Sequence, residues 1–102
     1  MKSVRYYIGT NFDKNDKSIK DVEKLKSEAK RLCGLAFGGS TVFNGAGSWF
    51  DGAKMVNEQS ITIEILTDET NEKLKAMAVK LRDLFSQSSV LMTVQNVNSE
   101  FI

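Results

Sequence analysis

Ile19, Val22, Leu25, Ala29, Leu32 and Cys33 recur at three- and four-residue steps through the segment SIKDVEKLKSEAKRLCG. The segment TDETNEKLKAMAVKLRDLF repeats the pattern with Leu74, Met77, Ala78, Leu81 and Leu84. Each spacing predicts an amphipathic helix with a single apolar stripe. Two such stripes need a common apolar surface to cover them. Alternating segments supply it: Val4, Tyr6 and Ile8 in residues 4–10, Ile61, Ile63 and Ile65 in QSITIEIL, and Val90, Met92 and Val94 in residues 89–97. Alternation at period two predicts strands with one apolar face. Residues 41–44 add a short fourth strand. The order is then βαββαβ. Right-handed crossovers place both helices on one face of a four-stranded antiparallel sheet. The expected architecture is α+β and ferredoxin-like, a single domain over residues 1–102, a length that suits one domain. Ser18 with Asp21, or else Asp16, is expected to cap the first helix, with Gly34 as its stop. Thr67 or Asp68 is expected to cap the second. The uncovered sheet face should carry Arg5, Tyr7, Thr62, Glu64, Thr93 and Gln95.

Composition removes several function classes. The net charge is +1, from 14 basic and 13 acidic residues. That balance argues against wrapping long nucleic acid or coating a membrane, and it leaves little charge repulsion to oppose a homo-oligomer. The basic residues of the first helix alternate with Asp21, Glu23 and Glu28, a solvated face. The chain has no histidine, so imidazole acid–base chemistry and the Ser-His-Asp arrangement are excluded. A single cysteine, Cys33, lies on the apolar stripe and reads as a core residue. No apolar run approaches a membrane span, and the start leads directly into a strand, so a cytoplasmic location is expected, host cytoplasm for a phage-encoded chain. No cofactor or metal site is expected.

Five of the seven glycines lie from Gly38 to Gly52, beside the only tryptophan. Gly45 and Gly47 lack the spacing of a phosphate-binding loop and do not open a helix. They read as a mobile or bulged hairpin around the Asp51–Gly52 turn signal, glycine supplying positive φ, or as a ligand loop. Trp49 and Phe50 are adjacent, so a strand sends them to opposite faces. One packs on the helices; the other meets a partner chain or stacks on a planar ligand. Glu58, entering the isoleucine strand, is a solvated carboxylate or an acceptor for a ligand hydroxyl. Arg5, beside Tyr7 on the open face, either pairs with Glu64 or holds a phosphate. Asn44 is a further candidate for reading a polar edge. Asp51 and Glu58 could form a general acid–base pair.

The stretch GSWFDGAKMVNEQSITIEIL, with Tyr7-Ile8-Gly9 near the start, resembles small bacterial and phage proteins. These share a Y-x-G strand, then G-x-W, Gly and Glu entering an apolar strand, here Gly47, Trp49, Gly52 and Glu58. The resemblance implies a ferredoxin-like fold and a phage source. By analogy it suggests an anti-defence factor that sequesters a nucleotide signal. Three functions follow as expectations. The first is a non-catalytic homo-oligomeric protein binding a small anionic or nucleotide-like ligand through Arg5, Tyr7, Asn44, Gly45, Gly47, Trp49, Phe50 and Glu58. The second is a protein–protein inhibitor or assembly factor using the open sheet face. The third is a small dimeric α/β-barrel enzyme using Tyr, Arg and Asp.

Overall fold

A computed structural model describes Met1–Ile102. Strand β1 (Lys2–Gly9) is followed by helix α1 (Val22–Phe37), strands β2 (Thr41–Phe50) and β3 (Met55–Thr67), helix α2 (Asn71–Leu84) and strand β4 (Leu91–Asn96). All neighbouring strands are antiparallel, in the order β2-β3-β1-β4. The βαββαβ order and the α+β, ferredoxin-like sheet with two helices on one face are as the periodicities predict.

The register explains the core. Val4, Tyr6 and Ile8 pair with Ile65, Ile63 and Ile61. All six are buried against Ala29 and Cys33 of α1 and Leu74, Met77 and Leu81 of α2. The Tyr6 hydroxyl donates to the Leu74 carbonyl at 2.8 Å, which ties the central strand to α2 and satisfies the one polar atom of a buried ring.

The helix ends differ from the sequence reading. Helix α1 continues through Gly34 to Phe37, because Phe37 still packs on the core. Gly38 is the stop, with φ of 86° and its N–H donating to the Gly34 carbonyl at 2.8 Å. At the other end Asp21 holds the cap position with φ of 54°, and its side chain makes no capping bond. Asp16 belongs to a separate polar turn organised by Asp13, whose carboxylate accepts from the N–H groups of Asn15 and Lys17. Helix α2 is capped by Thr70, not Thr67 or Asp68; Thr70 accepts from the Lys73 N–H at 3.3 Å.

The β2–β3 hairpin is the larger departure. The short strand expected at residues 41–44 extends to Phe50, straight through Gly45 and Gly47. Neither glycine has positive φ; of the hairpin glycines only Gly52 does, at 98° in the turn. The Asp51 carboxylate accepts from the Ala53 and Lys54 N–H groups at 2.8 Å each, which closes that turn. From Gly45 outward the hairpin runs roughly 17 Å beyond the helices at ordinary strand rise. The molecule is accordingly elongated, 45 × 26 × 26 Å.

Candidate ligand site on the open sheet face

Strand alternation sorts the candidate residues into two groups. Arg5, Tyr7, Gly45, Gly47, Trp49 and Glu58 share the open face, opposite the helices. Asn44 and Phe50 are even-numbered positions on β2 and lie on the helix side, in the faces of Ile61 and Met55. Six of the eight thus share a face but not one place: Gly45, Gly47, Trp49 and Glu58 lie on the hairpin, whereas Arg5 is level with Glu64, about 20 Å along the ladder from Glu58. Trp49 and Phe50 point to opposite faces, as adjacent strand residues must, yet neither is covered, because the hairpin tip has outrun the helices.

Arg5 resolves toward its neighbour. Its Nε donates to Glu64 Oε2 at 2.7 Å, across a directly paired position of β1 and β3. That hydrogen bond, with a smaller contribution from the Tyr7 hydroxyl, holds the guanidinium pKa above its ordinary value. Arg5 also borders an open depression of about 360 Å³, together with Ser3, Tyr7, Thr93 and Gln95.

Glu58 has a more particular setting. It pairs with Gly47 on β2, two residues beyond the end of the β1 ladder at Ser60. Its side chain lies over Gly9, so closely that a Cβ at Gly9 would collide with Glu58 Oε1. Gly9 is thus a platform that lets the carboxylate lie flat on the sheet, and Tyr7 follows two residues along the same face. The backbone beneath is stitched down: Thr10 N–H donates to the Gln59 carbonyl at 3.0 Å, and Gln59 N–H donates to Asn11 Oδ1 at 2.9 Å. The neighbouring cleft of about 420 Å³ draws mainly on the opposite, helix-side face, through Ala46, Ser48, Asn57 and Gln59, so the carboxylate itself lies on an open surface. Gly9 and Asn11 are the structural neighbours of this segment that the candidate list did not contain. The Y-x-G pattern pointed at Gly9 without saying what it accommodates.

The acid–base pairing of Asp51 with Glu58 is not formed. Asp51 sits in the hairpin turn, roughly 13 Å along the ladder from Glu58. Backbone N–H groups of Lys54 and Ala53 hold its pKa low, the signature of a turn carboxylate. Cys33 is buried, and burial pushes its thiol pKa up to about 11, away from nucleophilic use. No helix is long and apolar enough to cross a membrane.

A family model described as "Protein of unknown function (DUF3574)" matches residues 4–101. The chain belongs to this family. No curated protein matches the sequence of this DUF3574 member. Among solved structures it is similar to a phage SAM lyase in complex with S-methyl-5'-thioadenosine, at 26% identity, TM-score 0.64, covering 92% of this chain and 79% of that one. A phage SAM lyase in the apo state gives 22% identity and TM-score 0.67, over 92% and 78% of the two chains. CutA from Synechococcus elongatus matches at 10% identity and TM-score 0.64, over 94% of this DUF3574 chain and 75% of CutA. The likeness to CutA is one of fold.

Proposed function

We propose that this protein is a small homo-oligomeric binding protein for an adenosine-type nucleoside. The observation that carries the reading is the 26% identity, over 92% of the chain, to a phage SAM lyase that binds S-methyl-5'-thioadenosine. The open face offers matching chemistry. A carboxylate laid flat on a glycine accepts from two vicinal ribose hydroxyls. An exposed indole stacks on a purine, an interaction worth about 1–3 kcal/mol per base. The exposed Trp49, Phe50 and Met55 of the hairpin give a second copy something to cover, and the near-neutral charge does not oppose it. A phage origin and a role in sequestering a signal molecule fit this reading.

Trp49 is the only tryptophan, so intrinsic fluorescence reports the site directly. Titration with S-methyl-5'-thioadenosine, adenosine and cyclic AMP, followed by fluorescence and thermal denaturation, tests the proposal. A ligand at 100 times its dissociation constant stabilises the fold by about 2.7 kcal/mol. The expected outcome is a saturable shift with the thioadenosine, abolished in Glu58→Gln. No shift with any nucleoside at millimolar concentration sinks the reading.

The same likeness favours a second reading, turnover of S-adenosylmethionine, since the similar phage protein is a lyase. Incubation with S-adenosylmethionine and chromatographic detection of S-methyl-5'-thioadenosine separates the two. Binding without product release supports the binding protein; product that depends on Glu58 and Tyr7 supports the enzyme.

A further inference from the structure

On the helix side of the hairpin root, across the sheet from Glu58, lies a cleft of about 480 Å³ lined by Thr10, Lys26, Asn44, Ala46 and Gln59. Lys26 reaches it from the second turn of α1. Its ammonium donates to Asn44 Oδ1 at 3.1 Å and to Glu23 Oε1 at 3.2 Å, and its side chain is only 17% exposed. An ammonium has three donors, so one is left. Glu23 is 89% exposed, and an (i,i+3) pair with so solvated a carboxylate holds the charge weakly. Thr10 lines the same cleft; the residue is 7% exposed, and its hydroxyl makes no hydrogen bond within the chain but keeps contact with solvent through the cleft. The Gln59 side-chain amide is also unengaged, while its backbone is fixed by Thr10 and Asn11.

A sheltered cation with a spare donor, a solvent-touched hydroxyl and an exposed, unused amide line one small cleft whose only apolar wall is Ala46. We infer that this cleft binds a small oxyanion, a carboxylate or a phosphate, with Lys26 as its charge partner and Thr10 and Gln59 as hydrogen-bond donors. The oxyanion takes the place that Glu23 occupies weakly. Asn44, which alternation sets apart from the open-face residues, has its role here: it aims the ammonium. The site is on the opposite face from the nucleoside reading and does not depend on it.

Amide NMR of the full chain, titrated with sodium acetate and, separately, potassium phosphate against a chloride control, tests the inference. The expected result is saturating shifts centred on Thr10, Ala46 and Gln59 at millimolar anion, lost in Lys26→Met and kept in Lys24→Met. Thr10→Val, a near-isosteric change, should weaken binding several-fold, which keeps the test decisive should Lys26→Met fail to fold. The anion that saturates at lower concentration identifies the source chemistry. Shifts that never saturate, that spread evenly over the lysines of α1, or that survive both substitutions overturn the inference.

Discussion

Glu58 and Gly9 pack as a pair although 49 positions separate them, and each explains the other. Gly9→Ala places a methyl where the carboxylate lies. The obstructing atoms belong to the far end of a flexible side chain, so the carboxylate swings away and the fold survives. Stability should change by less than about 1 kcal/mol. Nucleoside binding should nevertheless fall as far as in Glu58→Gln. Urea unfolding and fluorescence titration of the one variant measure both. A large stability loss would show that Gly9 serves the fold instead. Cys33 and Tyr6 make a prediction about alkaline pH. Burial raises the Cys33 thiol from 9.0 to about 11, and it raises the Tyr6 phenol above its ordinary value as well. A raised folded-state pKa favours the protonated form in the native protein. The stabilisation is therefore intact below pH 9 and is lost as pH rises toward 11. At about 1.4 kcal/mol per unit, Cys33 alone gives a loss of about 2–3 kcal/mol across that window. Chemical denaturation at pH 8, 9, 10 and 11 should show the decline, and Cys33→Ala should flatten it between pH 9 and 11. The burial of both groups was legible from period alone, because each occupies an apolar stripe. The Glu58–Gly9 contact was not, since it depends on the β1–β3 register.

At the scale of the element, two glycines four residues apart, one inside α1 and one at its C-cap, have opposite meanings. Gly34 is helical, and an added Cβ there meets nothing within 4 Å. Gly34→Ala should stabilise the protein by about 0.5–1 kcal/mol, the ordinary gain in helix propensity. Gly38 holds φ of 86° at the C-cap, so Gly38→Ala should destabilise it by about 1 kcal/mol. Urea midpoints shifted in opposite directions check the pair; equal signs would contradict the helix boundary. The sequence could not separate these roles. The Cys33-Gly34 step ends the clearest part of the apolar stripe, and only the packing of Phe37 shows that the helix goes on. Strand β2 was hidden for a related reason. Gly45 and Gly47 lower strand propensity, and beyond Val42 neither face of the strand is covered, so it has no apolar alternation to display. The helices and β3 were legible because each buries a single face.

The whole molecule is a compact two-layer body with a hairpin that leaves it. Trp49 is 52% exposed, Phe50 63% and Met55 57%, on the two faces of one ribbon. An isolated two-stranded ribbon is marginal in water, and this one has apolar side chains on both sides and no helix beneath it. An edge of such length is also free to pair, since β2 terminates the sheet. A second copy of the chain is the economical cover, and the homo-oligomer reading makes a quantitative demand of the hairpin. Light scattering should give a mass that is a multiple of 11.4 kDa at micromolar concentration. Phe50→Ser, on the helix side of the ribbon, should shift that mass toward the monomer while leaving the two-layer body folded, because Phe50 touches none of the core cluster. Trp49→Ser should do the same and also weaken nucleoside binding, since Trp49 shares the face of Glu58. The two variants therefore distinguish assembly from ligand contact. Loss of binding in Phe50→Ser as well would mean that the nucleoside site is completed only between subunits. A wild-type protein that is strictly monomeric at every concentration would remove the oligomer from the reading and leave Trp49 to the ligand alone.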